Sequence, residues 1–304
     1  MLGPGERGLQ RHHGDVMEQI AALITSHKIP VGPWAKAFID WIKLYFGWFF
    51  DFISTNATDF MEWVADLLNA IPPLVFIVVV ALLAAWRHRD WKIPAFVVIG
   101  FLFIWNLNLW KPMIDTLVLV FFSALVSLLV GIPLGIICAR RKWLFNAVAP
   151  VLDMLQTLPS FVYLVPALAL FGLGMVPAVV ATFLFAVAAP VRLTYLGITQ
   201  VHTALVEAGE SFGCTRSQLL FKVTLPAALP SIMAGVTQCI MLSLSMVVIA
   251  SFVGAPGLGV PVVRALASAN VALGFEAGLA IVVLAIILDR VLKQPTRRRR
   301  AKKA

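Results

Sequence analysis

Long apolar runs occupy most of this chain, and they constrain its fold more than any other feature. A helix that crosses a bilayer needs roughly 20 mostly apolar residues, because about 30 Å of hydrocarbon must be covered at 1.5 Å per residue. Prolines inside such runs are tolerated where neighbouring helices or a cavity satisfy the freed backbone groups. We therefore expect an all-α integral membrane protein with about seven transmembrane helices, at residues 71–86, 93–110, 113–139, 148–174, 176–201, 226–253 and 273–288.

The composition excludes the soluble classes of protein. Hydrophobic residues make up 61% of the chain and charged residues 13%, whereas a soluble domain has about 45–50% apolar and about 25% charged residues. The three cysteines form no CxxC pair, which argues against a disulfide framework or a zinc module, and the scattered histidines predict no metal site. The net charge of +9 does not indicate nucleic acid, because the basic residues flank the apolar runs.

The positions of Lys and Arg predict the orientation of the chain, since cytoplasmic segments carry an excess of both. Along the chain, the predicted loops alternate between a side of the membrane that is rich in Lys and Arg and a side that is poor in them. We therefore expect the N-terminus outside and the C-terminus in the cytoplasm. The rich side holds Arg87, Arg89, Lys92, Arg140, Arg141, Lys142, Arg192, Arg216, Lys222 and the eight basic residues between Arg290 and Lys303. The poor side holds Arg7, Arg11, Lys28, Lys36, Lys43, Lys111 and Arg264.

The first 70 residues are amphipathic rather than uniformly apolar. Aromatic and aliphatic residues recur at helical spacing from Trp34 to Ser54, and a second stretch repeats the pattern around Asp59 and Trp63. Such stretches are typical of helices that lie in the membrane interface. The alternative is an eighth span at residues 36–53, with the N-terminus inside. It would cost roughly 2.5–3.5 kcal/mol for each charged residue near the bilayer centre.

The longest predicted cytoplasmic loop, residues 202–225, is called the coupling loop below. Its sequence favours a short helix up to Phe212, a break at Gly213, and a second helix that Thr215 and Gln218 open with a capping box. Pro226 is expected to restart the chain at the membrane surface. With Phe212, Leu219 and Leu220 exposed, the loop would present a knob for a partner. The alternative is an ordinary solvated loop.

The spacing of residues in the coupling loop resembles a known family motif. Glu207-Ala208-Gly209, three residues, Gly213, nine residues, Val223, one residue and Leu225-Pro226 are similar to the EAA loop of ABC-importer permeases, EAA-x3-G-x9-I-x-LP. Gly209 replaces the third alanine and Val223 the isoleucine. The resemblance implies a type I importer permease fold and a helix that docks on a separate ATPase. In that role Glu207 would be a polar contact, Gly213 would supply the turn, and Leu225-Pro226 would fix the return angle.

Three further runs narrow the resemblance. Residues 155–174, 244–259 and 274–290 look like the permease of the osmoprotectant importers, which take up glycine betaine, proline betaine, choline or carnitine. The resemblance implies a transport subunit of the bacterial inner membrane, a second permease copy in a homodimer, and an extracytoplasmic solute-binding protein. The chain has no GxxxxGK[ST] motif. We therefore expect no enzyme activity and no cofactor here, with ATP and Mg²⁺ held by the ATPase.

Polar and aromatic residues inside the predicted spans are candidates for lining the pathway. Such side chains either face a polar route for a small zwitterion or form interhelical hydrogen bonds worth about 0.6 kcal/mol each. Aromatic rings, among them Trp110, can hold quaternary ammonium groups, although aromatic residues are also enriched at any membrane interface. The candidates are Gln156, Phe161, Tyr163, Gln238, Ser243 and Ser245.

These patterns predict four regions. Residues 1–70 form an extracytoplasmic amphipathic scaffold, 71–110 two accessory spans, 111–292 the transport core with the coupling loop, and 293–304 a cytoplasmic tail. The alternative function is a secondary transporter or channel for a small solute. That class is characterised by inverted repeats and discontinuous helices around a midplane site, and the sequence shows neither inverted repeats nor paired intramembrane charges.

Overall fold

The computed structural model describes residues 30–88 and 91–293, and this part of the chain contains helices and turns but no strand. Residues 1–29 of the predicted scaffold, residues 89–90 and the tail beyond Lys293 lie outside the described residues. The helices are α1 Val31–Ala70, α2 Pro73–His88, α3 Lys92–Asn106, α4 Trp110–Arg140, α5 Lys142–Thr157, α6 Phe161–Phe171, α7 Met175–Ala186, α8 Ala188–Thr199, α9 Thr203–Ser211, α10 Arg216–Gln218, α11 Leu225–Ala250, α12 Gly259–Ala267 and α13 Val271–Leu292.

The chain divides into two compact units, residues 1–47 and 48–304. In the first unit, the described residues form the N-terminal part of α1, where Trp41 packs its ring against Phe38 and Tyr45. α1 continues without a break through both amphipathic stretches that the sequence pattern separates.

Within the described residues, four helical segments are long and apolar enough to cross a membrane, or up to six if each sharply bent pair of helices counts as one span. The predicted run at 93–110 is shorter than expected, because α3 ends at Asn106 and a turn with Asn108 at φ +55° precedes α4. The run at 148–174 is not one straight span. It divides into α5 and α6, which meet at 99°.

Proline explains the division of that run. Pro159 lies between α5 and α6, and the residue before it, Leu158, has an extended backbone with ψ of 136°. A proline disfavours helical dihedral angles in the preceding residue and cannot donate a backbone hydrogen bond. The sequence contains this signal, but a prediction of spans from apolar content alone does not take it into account.

Three helices, α4, α8 and α11, form the centre of the second unit. Gly131 and Gly135 of α4 lie against α8 so closely that a Cβ on Gly135 would come within 2.7 Å of the Thr194 side chain. On its other side, α8 meets α11 at Gly235. Small residues permit such close approach of helices in membranes. The hydroxyl of Thr116 on α4 also accepts the backbone N–H of Leu258, which joins α4 to the turn before α12.

Candidate functional site

The coupling loop folds as two short helices joined at Gly213, as its sequence predicts. α9 ends at Ser211, and Gly213 has a φ of +76°. The N–H of Gly213 donates to the carbonyl of Glu210 at 2.9 Å, and the N–H of Cys214 donates to that of Gly209 at 3.1 Å. These two bonds form a Schellman motif, in which a left-handed residue ends the helix and satisfies its last carbonyls.

The predicted capping box at the start of the second helix is confirmed. The N–H of Gln218 donates to the Thr215 hydroxyl at 3.3 Å, and the N–H of Thr215 donates to the Gln218 side-chain oxygen at 2.9 Å. Both ends of the turn are therefore held by local hydrogen bonds. The turn between α9 and α10 has a defined geometry without a partner.

Gly209 is the point at which the two helices of the coupling loop pack together. It is buried, and a Cβ there would lie 2.7 Å from Leu219 Cδ1 and 3.4 Å from Val223 Cγ2. This contact explains why a glycine replaces the alanine of the family pattern and why Val223 faces inward. The expectation that Leu220 is exposed is wrong, because only 7% of it is exposed and Leu219 is half-buried.

The predicted restart of the chain at Pro226 is also wrong, because the chain is helical on both sides of this proline. α10 passes into a π-helical turn, Leu219–Thr224, which leads directly into α11. Proline donates no N–H, and its ring clashes with the carbonyl four residues earlier. Here the preceding turn widens, and the N–H of Leu225 donates to the carbonyl of Leu220 five residues back. Leu225 and Pro226 thus join the coupling loop rigidly to the span.

The exposed surface of the coupling loop combines aromatic and acidic groups. Phe212 is 90% exposed at the tip of the turn, and Glu207 and Ala208 are exposed on α9. Phe221, which the sequence analysis did not single out, is 63% exposed on the π-helical turn. An apolar knob on a rigid stem is suited to filling a groove on another protein. Among the described residues, no group of three or more potential metal ligands occurs.

The six candidates for the pathway fall into different environments. Gln238 and Ser245 are exposed on α11, whereas Ser243 is buried and donates its hydroxyl to the Cys239 carbonyl at 2.9 Å. The Ser245 hydroxyl makes the same kind of bond, to the Met241 carbonyl at 3.1 Å, so burial is what separates Ser243 from Ser245. The structure brings Gln238 and Ser245 onto one face of α11, because they are seven residues, or about two helical turns, apart.

The remaining pathway candidates lie around the bend between α5 and α6. Gln156 is exposed on α5, and Phe161 is exposed at the start of α6. Tyr163 is buried, and its hydroxyl donates to the Leu155 carbonyl. Trp110 is buried too, in ring contact with Phe76, Phe101 and Trp105. Of these four residues, only Gln156 and Phe161 present their side chains to an open surface.

Two features of this region were missed by the sequence analysis. Phe252 is 49% exposed and makes an edge-to-face contact with Phe161, with ring centroids 5.5 Å apart. Arg192 of α8, which the charge count assigned to a cytoplasmic segment, forms an ion pair with Asp153 of α5. A lone charge in an apolar run is a sequence signal for such a pair, but its partner is 39 residues away.

Comparisons with known proteins agree with this architecture. A family model described as "Binding-protein-dependent transport system inner membrane component" matches residues 131–301. The glycine betaine transport system permease protein of Bacillus subtilis is 46% identical over 264 residues, which cover 87% of this chain and 93% of that protein. The glycine betaine/carnitine transport permease protein of Listeria monocytogenes is 47% identical over 269 residues, which cover 86% and 94%.

A third relative and a solved structure extend the comparison. The glycine betaine/proline betaine transport system permease protein of Escherichia coli is 41% identical over 277 residues, which cover 90% of this chain and 78% of that protein. An inward-facing structure of the MetNI methionine ABC transporter matches with a TM-score of 0.53 at 21% identity, over 59% of this chain and 94% of that chain. The two chains share a fold, which confirms the predicted all-α membrane class. The chain belongs to the family of binding-protein-dependent transport system inner membrane components.

Proposed function

We propose that this chain is the permease subunit of an ATP-driven importer for quaternary-amine osmolytes, with choline, glycine betaine and proline betaine as the candidate substrates. The observation that carries the proposal is the coupling loop. Its two helices are held at Gly209 and Gly213, present Phe212 to solvent, and continue rigidly into α11. The names of the relatives, which are glycine betaine permeases, support the substrate class.

In this proposal the work of the chain is mechanical. Two copies in the bacterial inner membrane enclose the pathway, and each docks one ATPase through residues 202–225 on the cytoplasmic side. ATP and Mg²⁺ are bound by the ATPase. When ATP draws the two ATPases together, each coupling loop transmits the movement through Leu225 and Pro226 to α11, and the cavity opens outward to a solute-binding protein. Hydrolysis then resets the cavity.

The proposed division of the chain follows from this role. Residues 111–292 form the transport core, 71–110 two accessory helices, 1–70 an extracytoplasmic scaffold, and 293–304 a basic cytoplasmic tail. The N-terminus lies outside and the C-terminus inside. Within the core, Gln156, Phe161, Gln238 and Ser245 are exposed and line the pathway, whereas Tyr163 and Ser243 support its walls from buried positions.

The test is whether the exposed tip of the coupling loop holds the ATPase. We would replace Phe212 with alanine, purify the complex through the permease, and measure the bound ATPase together with ATP-driven uptake of labelled glycine betaine and choline. Truncating an aromatic anchor in an interface costs about 2 kcal/mol or more, so we expect the affinity for the ATPase to fall more than tenfold. Phe212 supports little of the fold, because it is 90% exposed.

Phe275→Ala is the matched control, since Phe275 is 67% exposed on α13 but lies outside the coupling loop. It should leave both ATPase binding and uptake unchanged. Equal behaviour of the two variants would refute the docking role of the loop. Uptake that survives the removal of ATP but stops with a protonophore would instead identify a secondary transporter.

A further inference from the structure

One face of α11 is polar in an otherwise apolar span. Gln238 and Ser245, which are seven residues apart, are exposed on it. Positions seven residues apart lie on nearly the same side of a helix, because seven residues make about two turns. The segment Arg216–Val253 is long and apolar enough to cross a membrane, so a carboxamide on its open surface is unusual.

An exposed carboxamide at this depth does not face lipid. Lipid offers no hydrogen-bond partner, and an unsatisfied polar group costs several kcal/mol in hydrocarbon. Gln238 lies about 20 Å along the helix from Leu225 at 1.5 Å per residue, well inside the span. We therefore expect the face that carries Gln238 and Ser245 to line a water-filled cavity or to meet another protein chain.

Phe252 lies in the short 3-10 turn Ser251–Val253 that follows α11, and it forms an aromatic pair with Phe161. The two ring centroids are 5.5 Å apart and the ring planes are at 70°, while both side chains remain about half exposed, at 49% and 52%. α11 has 26 residues and is therefore about 39 Å long, and Phe252 follows its end. The pair is thus at the end of the span that is opposite to the coupling loop.

The backbone around Phe252 is held in place before any ligand arrives. The next residue, Val253, accepts the N–H of Gly174 at 2.9 Å, and the N–H of Ala255 donates to the carbonyl of Ala250 at 3.3 Å. Gly254 follows with a φ of +84°. These contacts join the end of α11 to the turn between α6 and α7, so the two rings are carried by connected segments.

The chemistry of a quaternary ammonium group matches this pair. Such a group carries a positive charge but no N–H, so it cannot donate a conventional N–H hydrogen bond, and it is attracted to the faces of aromatic rings. Exposed rings of phenylalanine give a weak attraction, which permits release. Tyr163 and Trp110 do not offer this, because 4% and 9% of them are exposed.

We propose that Phe161 and Phe252 form an aromatic transit site, which the quaternary ammonium group of the substrate contacts as it enters the pathway along the Gln238–Ser245 face of α11. This inference rests on the proposed function and adds the site of entry. Selection of the substrate remains with the solute-binding protein, and the transit site sets how fast the released substrate moves inward.

The test lowers the electron density on the face of the ring and keeps the size of the ring nearly constant. The complete complex, with its ATPase and binding protein, is reconstituted in vesicles of phosphatidylethanolamine and phosphatidylglycerol, which contain no quaternary ammonium. Phe252 is replaced by mono-, di- and trifluorophenylalanine. We expect the maximal rate of glycine betaine uptake to fall stepwise, by about three- to tenfold at the end of the series, with KM unchanged.

Two further variants and a control accompany the series. Phe252→Tyr should retain the rate, and Phe252→Leu should lower it as far as trifluorophenylalanine does. The same fluorinated series at Phe121, which is 58% exposed on α4, should have no effect. Added phosphatidylcholine should not slow uptake, since a slower rate would assign the rings to a lipid headgroup and overturn the transit site.

The outcomes separate the two proposals. A flat fluorinated series in a complex that transports with ATP overturns the transit site and leaves the proposed function intact, even if Phe252→Leu is slow, because the role of the ring is then steric. If the wild-type complex takes up no quaternary amine with ATP, the proposed function fails and the transit site fails with it.

Discussion

Gly213 and Gly209 show how single residues determine the shape of the coupling loop. Gly213 has a left-handed backbone at φ +76° with open space around it, so its constraint is conformational. Gly209 is constrained by space instead, because a Cβ there would lie 2.7 Å from Leu219 Cδ1 and 3.4 Å from Val223 Cγ2. The same residue type therefore serves two physical purposes four positions apart.

A bulky residue at position 213 should weaken coupling without unfolding the span. Gly213→Val forces a β-branched residue into the left-handed region, which costs roughly 1–2 kcal/mol for an ordinary residue. We expect the turn between α9 and α10 to change and the affinity for the ATPase to fall by about tenfold. Binding of the purified ATPase to the reconstituted permease measures the loss.

Gly278→Val is the control for this change, because a Cβ at Gly278 meets no atom within 4 Å and α13 is helical there. Its ATPase affinity should equal that of the wild type. Should Gly213→Val bind the ATPase as tightly as the control, the left-handed turn would have no part in docking.

At the scale of elements, α11 connects the coupling loop to the proposed pathway. It begins directly after a π-helical turn, and its exposed polar residues Gln238 and Ser245 share one face. The widened turn is a local irregularity at the point where the loop meets the span. Such π-helical turns are frequent at functional sites. The helix is therefore suited to carrying a movement from one end to the other.

The polar face of α11 should be reachable by water. In a chain whose native cysteines are replaced by alanine, Gln238→Cys and Ser245→Cys should react several-fold faster with a charged thiol reagent than Leu129→Cys and Val282→Cys. The reactive thiolate forms only where water reaches the sulfur. Leu129 and Val282 are 65% and 52% exposed on α4 and α13, so exposure in the isolated chain is matched.

Substrate and binding protein together should slow the reaction at positions 238 and 245 and leave the two controls unaffected. Equal labelling rates at all four positions would mean that the α11 face is covered by lipid or by a second chain, and the pathway would have to lie elsewhere.

At the scale of the whole molecule, the distribution of basic residues predicts which side each loop occupies. Ser217 of the coupling loop is expected in the cytoplasm, and Ser268 in the turn after α12 is expected outside. Both are exposed, so each can be tested by a single cysteine. The N-terminus is expected outside if residues 36–53 lie on the membrane, and inside if they cross it.

Labelling of intact cells with an impermeant thiol reagent distinguishes these topologies. Ser268→Cys and Gln10→Cys should react in intact cells, whereas Ser217→Cys should react only after the membrane is opened. Labelling of Ser268→Cys but not of Gln10→Cys would identify residues 36–53 as an eighth span, and labelling of Ser217→Cys in intact cells would invert the whole topology.

Local rules in the sequence were sufficient for part of this protein. Hydropathy predicted an all-helical membrane protein, and the signals at Gly213 and Thr215 predicted a helix end and a capping box that the structure contains. These features depend on residues within a few positions of one another. Hydrogen bonds across one turn and the transfer of apolar side chains into lipid need no knowledge of the rest of the chain.

Other features were decided only by tertiary structure, because they depend on residues far apart in the chain. The pairing of Arg192 with Asp153 and the burial of Tyr163 beside exposed Phe161 both follow from which helices pack together. In an apolar span nearly every side chain suits both lipid and a protein core. Hydropathy therefore identifies the helices, and only their packing decides which face of each one is left for a substrate.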